Sequence, residues 1–174
     1  MPDLQRITSL YIETEDRFQL TGETTAQGTV AIWLTQRLLS KLLPHLVNWL
    51  EQGGRAISLQ SHVDERIIEH LQDFAQLDAQ KDLTMQPAVS VSSETPVWLA
   101  HTIDVVHLPD AIKLVIKGDN NREAGLLLNS KELRQWLSIL RKLWTAAAWP
   151  DAFWPIWIKE SLETQANTTG KSVH

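Results

Sequence analysis

Residues 7–22 read ITSLYIETEDRFQLTG, and residues 103–118 read IDVVHLPDAIKLVIKG. Aligned without a gap, both stretches begin with isoleucine and end with glycine, and Phe18 lies opposite Leu114. In each stretch, apolar and polar residues alternate on either side of a polar turn. Such a pattern is typical of two half-buried β-strands that follow one another in the chain.

The similarity continues beyond these stretches after a shift of two residues. Leu34 then lies opposite Leu128 at the end of a third predicted strand, and Thr35 lies opposite Asn129. Threonine and asparagine are both preferred at the N-cap of a helix. Each half is therefore predicted to contain three strands followed by a helix.

This order of elements predicts an α+β fold of two diverged βββα repeats, with antiparallel sheet or sheets covered by helices and a helical insertion between the repeats. We expect one domain over residues 1–174. Its parts are a first half (5–52), a helical insertion and linker (55–95), a second half (97–148), and a Trp- and Pro-rich segment with a polar tail (149–174). The alternative is a chance match of apolar alternation, in which case the two halves would not superpose.

Capping residues and glycines set the predicted helix ends. The first helix should follow Thr35 and stop at Gly53-Gly54, and the third should follow Asn129, which has capping-box spacing with Glu132. Apolar residues at helical spacing in the insertion predict a second, amphipathic helix. Its apolar face comprises Val63, Ile67, Ile68, Leu71 and Phe74.

Composition narrows the possible function classes. The chain has no cysteine, which excludes disulfides, thiolate zinc sites and a cysteine nucleophile. A net charge of −5 argues against a nucleic-acid partner, because duplex-binding domains usually carry a basic surface. The most apolar stretch, residues 30–50, is punctuated by polar residues at helical spacing. We therefore expect no transmembrane segment, no signal peptide and a cytoplasmic location.

One cluster of residue types suits metal binding. His62, Glu65 and Glu69 are spaced to share one face of the second predicted helix, where a histidine and two carboxylates could bind a cation. A solvated acidic helix face explains them better, since no motif such as His-Glu-x-x-His accompanies them. We predict no metal, no cofactor and no catalytic residues, because the sequence also lacks phosphate-binding loops and serine-nucleophile motifs.

The third predicted helix has a basic side. The four basic residues there are Lys131, Arg134, Arg141 and Lys142. They suit contact with phosphate or with an acidic partner, but a solvated helix face is the simpler interpretation.

Aromatic residues are concentrated near the C-terminus. Residues 144–158 contain four tryptophans, one phenylalanine and two prolines. The prolines disfavour one long helix, so the segment either packs over the core of its own chain or docks on another protein. Tryptophan is enriched at interface hot spots, and the predicted interaction residues are Trp149, Phe153, Trp154 and Trp157.

These observations lead to two hypotheses about function. The favoured hypothesis is a non-enzymatic protein-interaction or self-associating module, which would bind itself as a homodimer or bind another protein through the Trp-rich segment. The alternative is a small-ligand-binding protein or an enzyme with a site between the two halves, since duplicated halves often form a cleft.

Overall fold

The computed structural model describes residues 1–26, 28–59, 65–84 and 86–159, with the backbone alone at 54–59 and 65. Within these residues the chain forms six strands and three helices. The strands are β1 (Asp3–Ile12), β2 (Arg17–Thr24), β3 (Thr29–Leu34), β4 (Val97–His107), β5 (Ala111–Gly118) and β6 (Glu123–Asn129). The helices are α1 (Gln36–Leu59), α2 (Glu65–Lys81) and α3 (Ser130–Ala146). The predicted α+β class is confirmed.

The six strands form one closed barrel in the order β1-β2-β3-β4-β5-β6. Pairing is antiparallel within β1-β2-β3 and within β4-β5-β6, as predicted. The two junctions are parallel, β3 with β4 and β1 with β6. The prediction of purely antiparallel sheets was therefore wrong at the junctions. The physical reason is the helical crossover between β3 and β4, since a parallel pair needs a long connection.

The core lies inside this barrel and beneath the helices. Phe18 and Leu20 of β2 and Ile112 and Leu114 of β5 are fully buried, because alternate residues of each strand point to the same side. Apolar residues of α1 and α3 belong to the same core. Helix α1 contacts β4, and α3 contacts β1 and β6. Each of these two helices therefore contacts the first strand of the other half.

The predicted caps of α1 and α3 are confirmed. The Leu38 amide donates to Thr35 Oγ1 over 3.2 Å. Asn129 and Glu132 form a reciprocal capping box at the start of α3. None of the helices within the described ranges combines the length and apolar character needed to cross a membrane.

Helix α1 is longer than predicted. It runs without interruption through Gly53 and Gly54 to Leu59, so the predicted stop at these glycines was wrong. A glycine stops a helix when it adopts a left-handed conformation at the C-terminus, and no described glycine has a positive φ. The two glycines instead lie inside the helix, where they weaken it without ending it.

Replacing Gly53 by alanine is expected to stabilise the protein by about 0.5–1 kcal/mol, because alanine loses less backbone entropy in a helix. The space for the new methyl group exists, since a Cβ at Gly53 would meet no atom within 4 Å. Denaturant unfolding of Gly53→Ala beside the parent chain measures the change. A loss of stability would mean that the helix ends at Gly53, as the sequence suggested.

The strand register revises how the two halves would be compared. Phe18 lies opposite Tyr11 and Leu34 in the neighbouring strands. The residue of β5 that lies opposite the corresponding strand positions, His107 and Leu128, is Ile112. By register Phe18 thus corresponds to Ile112 and not to Leu114, so the two-residue shift belongs in the β1–β2 connection. Duplication of the halves stays a prediction.

Candidate protein-interaction surface

Helix α2 packs against α3 with its polar side. The side chains of Gln72, Gln76 and Gln80 are buried there. Gln76 Nε2 donates to Ser138 Oγ over 2.6 Å and to the Arg134 carbonyl oxygen over 3.1 Å. Gln80 Nε2 donates to the same Ser138 hydroxyl over 3.0 Å. Hydrogen bonds thus compensate for removing these amides from water.

Arg134 of α3 is buried in this polar interface. Its guanidinium donates to the side-chain oxygen of Gln72 and lies over the Trp157 ring, 5.1 Å from the ring centroid. Burial lowers the pKa of Arg134 to about 10, so the group remains charged at neutral pH. A charged guanidinium in this position holds α2 and the C-terminal segment to the same face of α3.

The basic side of α3 is therefore less solvated than predicted. Arg134 is buried, and Arg141 pairs with Asp151 over 3.1 Å. Lys131 forms an ion pair with Asp82, just beyond the end of α2. The interpretation as a free, solvated face was wrong for Arg134 and Arg141, because helix α2 and the C-terminal segment cover that side.

The opposite side of α2 exposes its large apolar residues. Ile67, Leu71 and Phe74 are 49%, 45% and 69% exposed, and we call these three residues the α2 stripe. Their i, i+4, i+7 spacing places them in one row along the helix. The sequence predicted that this apolar face would be buried, and for these three residues that prediction was wrong.

The glutamine contacts explain why the helix does not turn its apolar face inward. Rotating α2 would break the bonds of Gln72 and Gln76 and leave the buried Arg134 without its side-chain partner. An unsatisfied buried polar group costs about 1–3 kcal/mol, and a charged one costs more. Burying each large apolar side chain would return only about 1.5–3 kcal/mol. The polar contacts therefore fix the orientation of the helix and leave the α2 stripe to solvent.

The sequence contains a signal that could have revealed this orientation. Gln72, Gln76 and Gln80 recur every four residues, so they form a row of their own along α2. A row of uncharged amides is as suitable for a hydrogen-bonded helix interface as for solvent. The apolar moment of the helix dominated the prediction and hid this second possibility.

The candidate metal ligands are only partly described. His62 lies outside the described residues, as does the side chain of Glu65. Glu69 is exposed on α2. Among the side chains that the structure describes, no three histidine or carboxylate groups come together as metal ligands would. The predicted absence of a metal stays a prediction.

The Trp-rich segment begins by packing on the barrel. Trp149 stacks on Phe18 with ring centroids 4.7 Å apart, and its indole Nε1 donates to Asp16 Oδ1 over 2.8 Å. Asp16 adopts a left-handed conformation at the tip of the β1–β2 connection and also accepts a hydrogen bond from Tyr11. The segment therefore fastens the end of α3 to this tip.

The remaining predicted interaction residues follow the same path. Trp154 and Trp157 are buried, and Phe153 packs against the core while partly exposed. Trp157 Nε1 donates to Glu51 Oε1 of α1 over 3.3 Å. Contact of these residues with a partner stays a prediction, but in the described chain their rings contact the protein's own core.

A cavity lies between the two halves. Its volume is about 730 Å³, and it opens beside the β2–β3 turn, the start of β4 and the β5–β6 turn. Polar groups in its wall include the hydroxyls of Thr24 and Thr95 and the Arg122 guanidinium. Arg122 donates to the Val97 carbonyl oxygen over 3.1 Å, and Trp98 lines the cavity beside it.

The geometry of the chain thus offers two candidate sites, an exposed apolar row on α2 and a polar cavity between the halves. Neither carries the arrangement of a nucleophile, a base and an orienting group that nucleophilic catalysis requires, as far as the described side chains extend. Comparison with protein-family models, with curated proteins and with solved structures finds no match for this chain.

Proposed function

We propose that this chain is a protein-interaction module and that the α2 stripe is its contact surface. One observation carries the proposal: α2 buries its glutamines and exposes Ile67, Leu71 and Phe74 in one row. Contiguous exposed apolar residues mark interaction sites more often than isolated ones. A helix with apolar residues at this spacing is suited to contact another helix or an apolar groove.

The neighbouring residues enlarge this surface. Ile68, Ala75 and Leu77 flank the α2 stripe and are partly exposed. His70 and Asp78 are the polar residues closest to the row. The centre of the surface is therefore apolar and its ends carry charge, which is the usual composition of a protein interface.

The Trp-rich segment has a different role in this proposal. Trp149, Trp154 and Trp157 stabilise the fold from within, because their rings contact the core. A buried ring contributes to binding only after the segment leaves that core. The exposed α2 stripe needs no such rearrangement, so it is the better candidate for first contact.

A photocrosslinking residue at position 74 tests the proposal in cells that produce the protein. Replacing Phe74 by benzoylphenylalanine keeps an aromatic side chain in the exposed row, so a bound protein should be captured as an adduct of defined mass. The same residue in place of Lys142, which is exposed on α3, serves as the matched control. We expect an adduct from position 74, none from position 142, and loss of the adduct when Leu71→Glu is added. Equal labelling at both positions, or none at position 74, would contradict the proposal.

The cavity supports a second candidate function, the binding of a small polar molecule. Both halves contribute to its wall, and Arg122, Thr24 and Thr95 provide donors and acceptors around the Trp98 ring. Pockets of a few hundred cubic ångströms with a few polar groups are the usual form of ligand sites. A thermal-shift screen of small anions and polar metabolites tests it, with Arg122→Gln as the control that should abolish any shift.

A further inference from the structure

We infer that the occupant of the α2 stripe is a second copy of this chain, with the two α2 helices packed antiparallel about a two-fold axis. This inference rests on the proposed function and names the partner. Its basis is the distribution of charge at the two ends of the apolar row. Helix α2 carries Arg66 one turn before Leu71 and Asp78 one turn after Phe74, and both side chains are exposed.

The spacing of the row suits a symmetric helix pair. Ile67, Leu71, Phe74 and Asp78 alternate by four and three residues, as positions do along the seam of two packed helices. A two-fold axis midway between Leu71 and Phe74 places each Leu71 against Phe74 of the second copy. A symmetric interface repeats every contact, so the pairing occurs twice.

Charge selects the antiparallel direction. With the axis in this position, Arg66 lies beside Asp78 of the second copy, and the symmetric contact doubles the effect. A parallel arrangement would place each of these charges beside its own kind. Neither side chain forms an ion pair with another described residue, so both are available to a partner.

The size of the contact sets the expected affinity. Helix α2 has 17 residues and is therefore about 25 Å long. Two such helices bury less surface than a standard protein interface, so the dimer should be weak, with a Kd on the order of 1–100 μM. Dissociation on dilution is part of the inference.

Charge reversal provides the test. Arg66→Asp alone, or Asp78→Arg alone, places like charges at both ends of the pair and should weaken self-association about 10- to 100-fold. An equimolar mixture of the two variants restores opposite charges at both contacts and should dimerise as the parent chain does. Arg66→Asp combined with Asp78→Arg in one chain should also recover. Sedimentation velocity over a concentration series, from low micromolar to several hundred micromolar, measures each case.

Two controls separate association from folding. Lys142→Glu reverses an exposed charge on α3 and should leave the dimer unchanged, because this residue lies outside α2. Circular dichroism should report the parent helix content in every single variant, since Arg66 and Asp78 are exposed. Single variants that associate as well as the parent, or a mixture that fails to recover, would overturn the antiparallel pair.

The two proposals fail in different ways. A parent chain that stays monomeric throughout the concentration series overturns the inference of a second copy. The interaction function survives that result if position 74 captures a different protein in cells. It falls as well if position 74 captures nothing. A parent dimer that is insensitive to Leu71→Glu would place the interface elsewhere and contradict both.

Discussion

Replacing Trp144 by alanine is expected to reduce the free energy of unfolding by about 3–5 kcal/mol, the largest effect of any single substitution considered for this chain. Trp144 is fully buried near the end of α3. Its indole donates from Nε1 to the Pro150 carbonyl oxygen over 3.0 Å. Removing the ring leaves both a large cavity and an acceptor without this donor, and the two losses act in the same direction.

The aromatic surroundings of Trp144 explain the size of the effect. It makes edge-to-face contacts with four other rings, with centroids 4.8–6.1 Å away: Phe18, Trp149, Phe153 and Trp154. Such contacts contribute beyond the apolar area they bury. Because Phe18 belongs to β2 and the others to the C-terminal segment, Trp144 couples the barrel to that segment.

Denaturant unfolding measures the loss, with Trp33→Ala as the matched control. Trp33 is only partly buried on β3, so its removal should destabilise the chain much less. If Trp144→Ala does not fold, Trp144→Phe tests the same contacts with a smaller expected loss. Equal losses at positions 33 and 144 would contradict the central role of Trp144.

The strands could be predicted from the sequence because their alternation is strong. Ile112, Leu114 and Ile116 alternate with exposed or partly exposed residues, and all three point into the core. Alternation specifies the face of a residue but not the neighbouring strand. The parallel junctions β3–β4 and β1–β6 join residues far apart in sequence, so closure of the barrel could not be derived from it.

The orientation of α2 was the main failure of sequence reasoning at the candidate site. Amphipathicity assumes that the apolar side of a helix faces the protein, as it does for α1 and α3. In α2 the buried side is fixed by partners on another helix, notably Arg134 and Ser138. Their distance in sequence from Gln76 made that match invisible. The Trp-rich segment is a related case, since composition shows large apolar rings but not which surface covers them.

The buried polar interface also separates the two properties that matter for function. Leu71→Glu changes an exposed side chain and should leave the free energy of unfolding nearly unchanged, whereas substitutions at Trp144 act on stability alone. A variant that loses association without losing stability would identify the α2 stripe as a surface. The contrast between positions 71 and 144 therefore distinguishes a binding defect from a folding defect.

Replacing Gly118 by alanine should destabilise the protein by about 1–3 kcal/mol, because a single added methyl group has no room. A Cβ at this position would lie 2.5 Å from Trp98 Cε3 and 2.7 Å from the Leu99 carbonyl oxygen. The second of these atoms belongs to the backbone of β4, which pairs with β3 on its other side and cannot easily withdraw. Backbone strain plays no part, since no described glycine has a positive φ.

Gly28→Ala is the control for this substitution, because its nearest neighbour, Thr24 Oγ1, would lie at an ordinary 3.4 Å. We expect thermal unfolding to show a clear loss for Gly118→Ala and little change for Gly28→Ala. Combining Gly118→Ala with Trp98→Leu removes the nearest ring atoms, so the double variant should lose less than the sum of the two single losses. Since Trp98 also lines the cavity, Gly118→Ala should weaken any ligand held there. Additive losses would show that Trp98 is not the atom group in the way, and that the backbone of β4 alone determines why position 118 must be glycine.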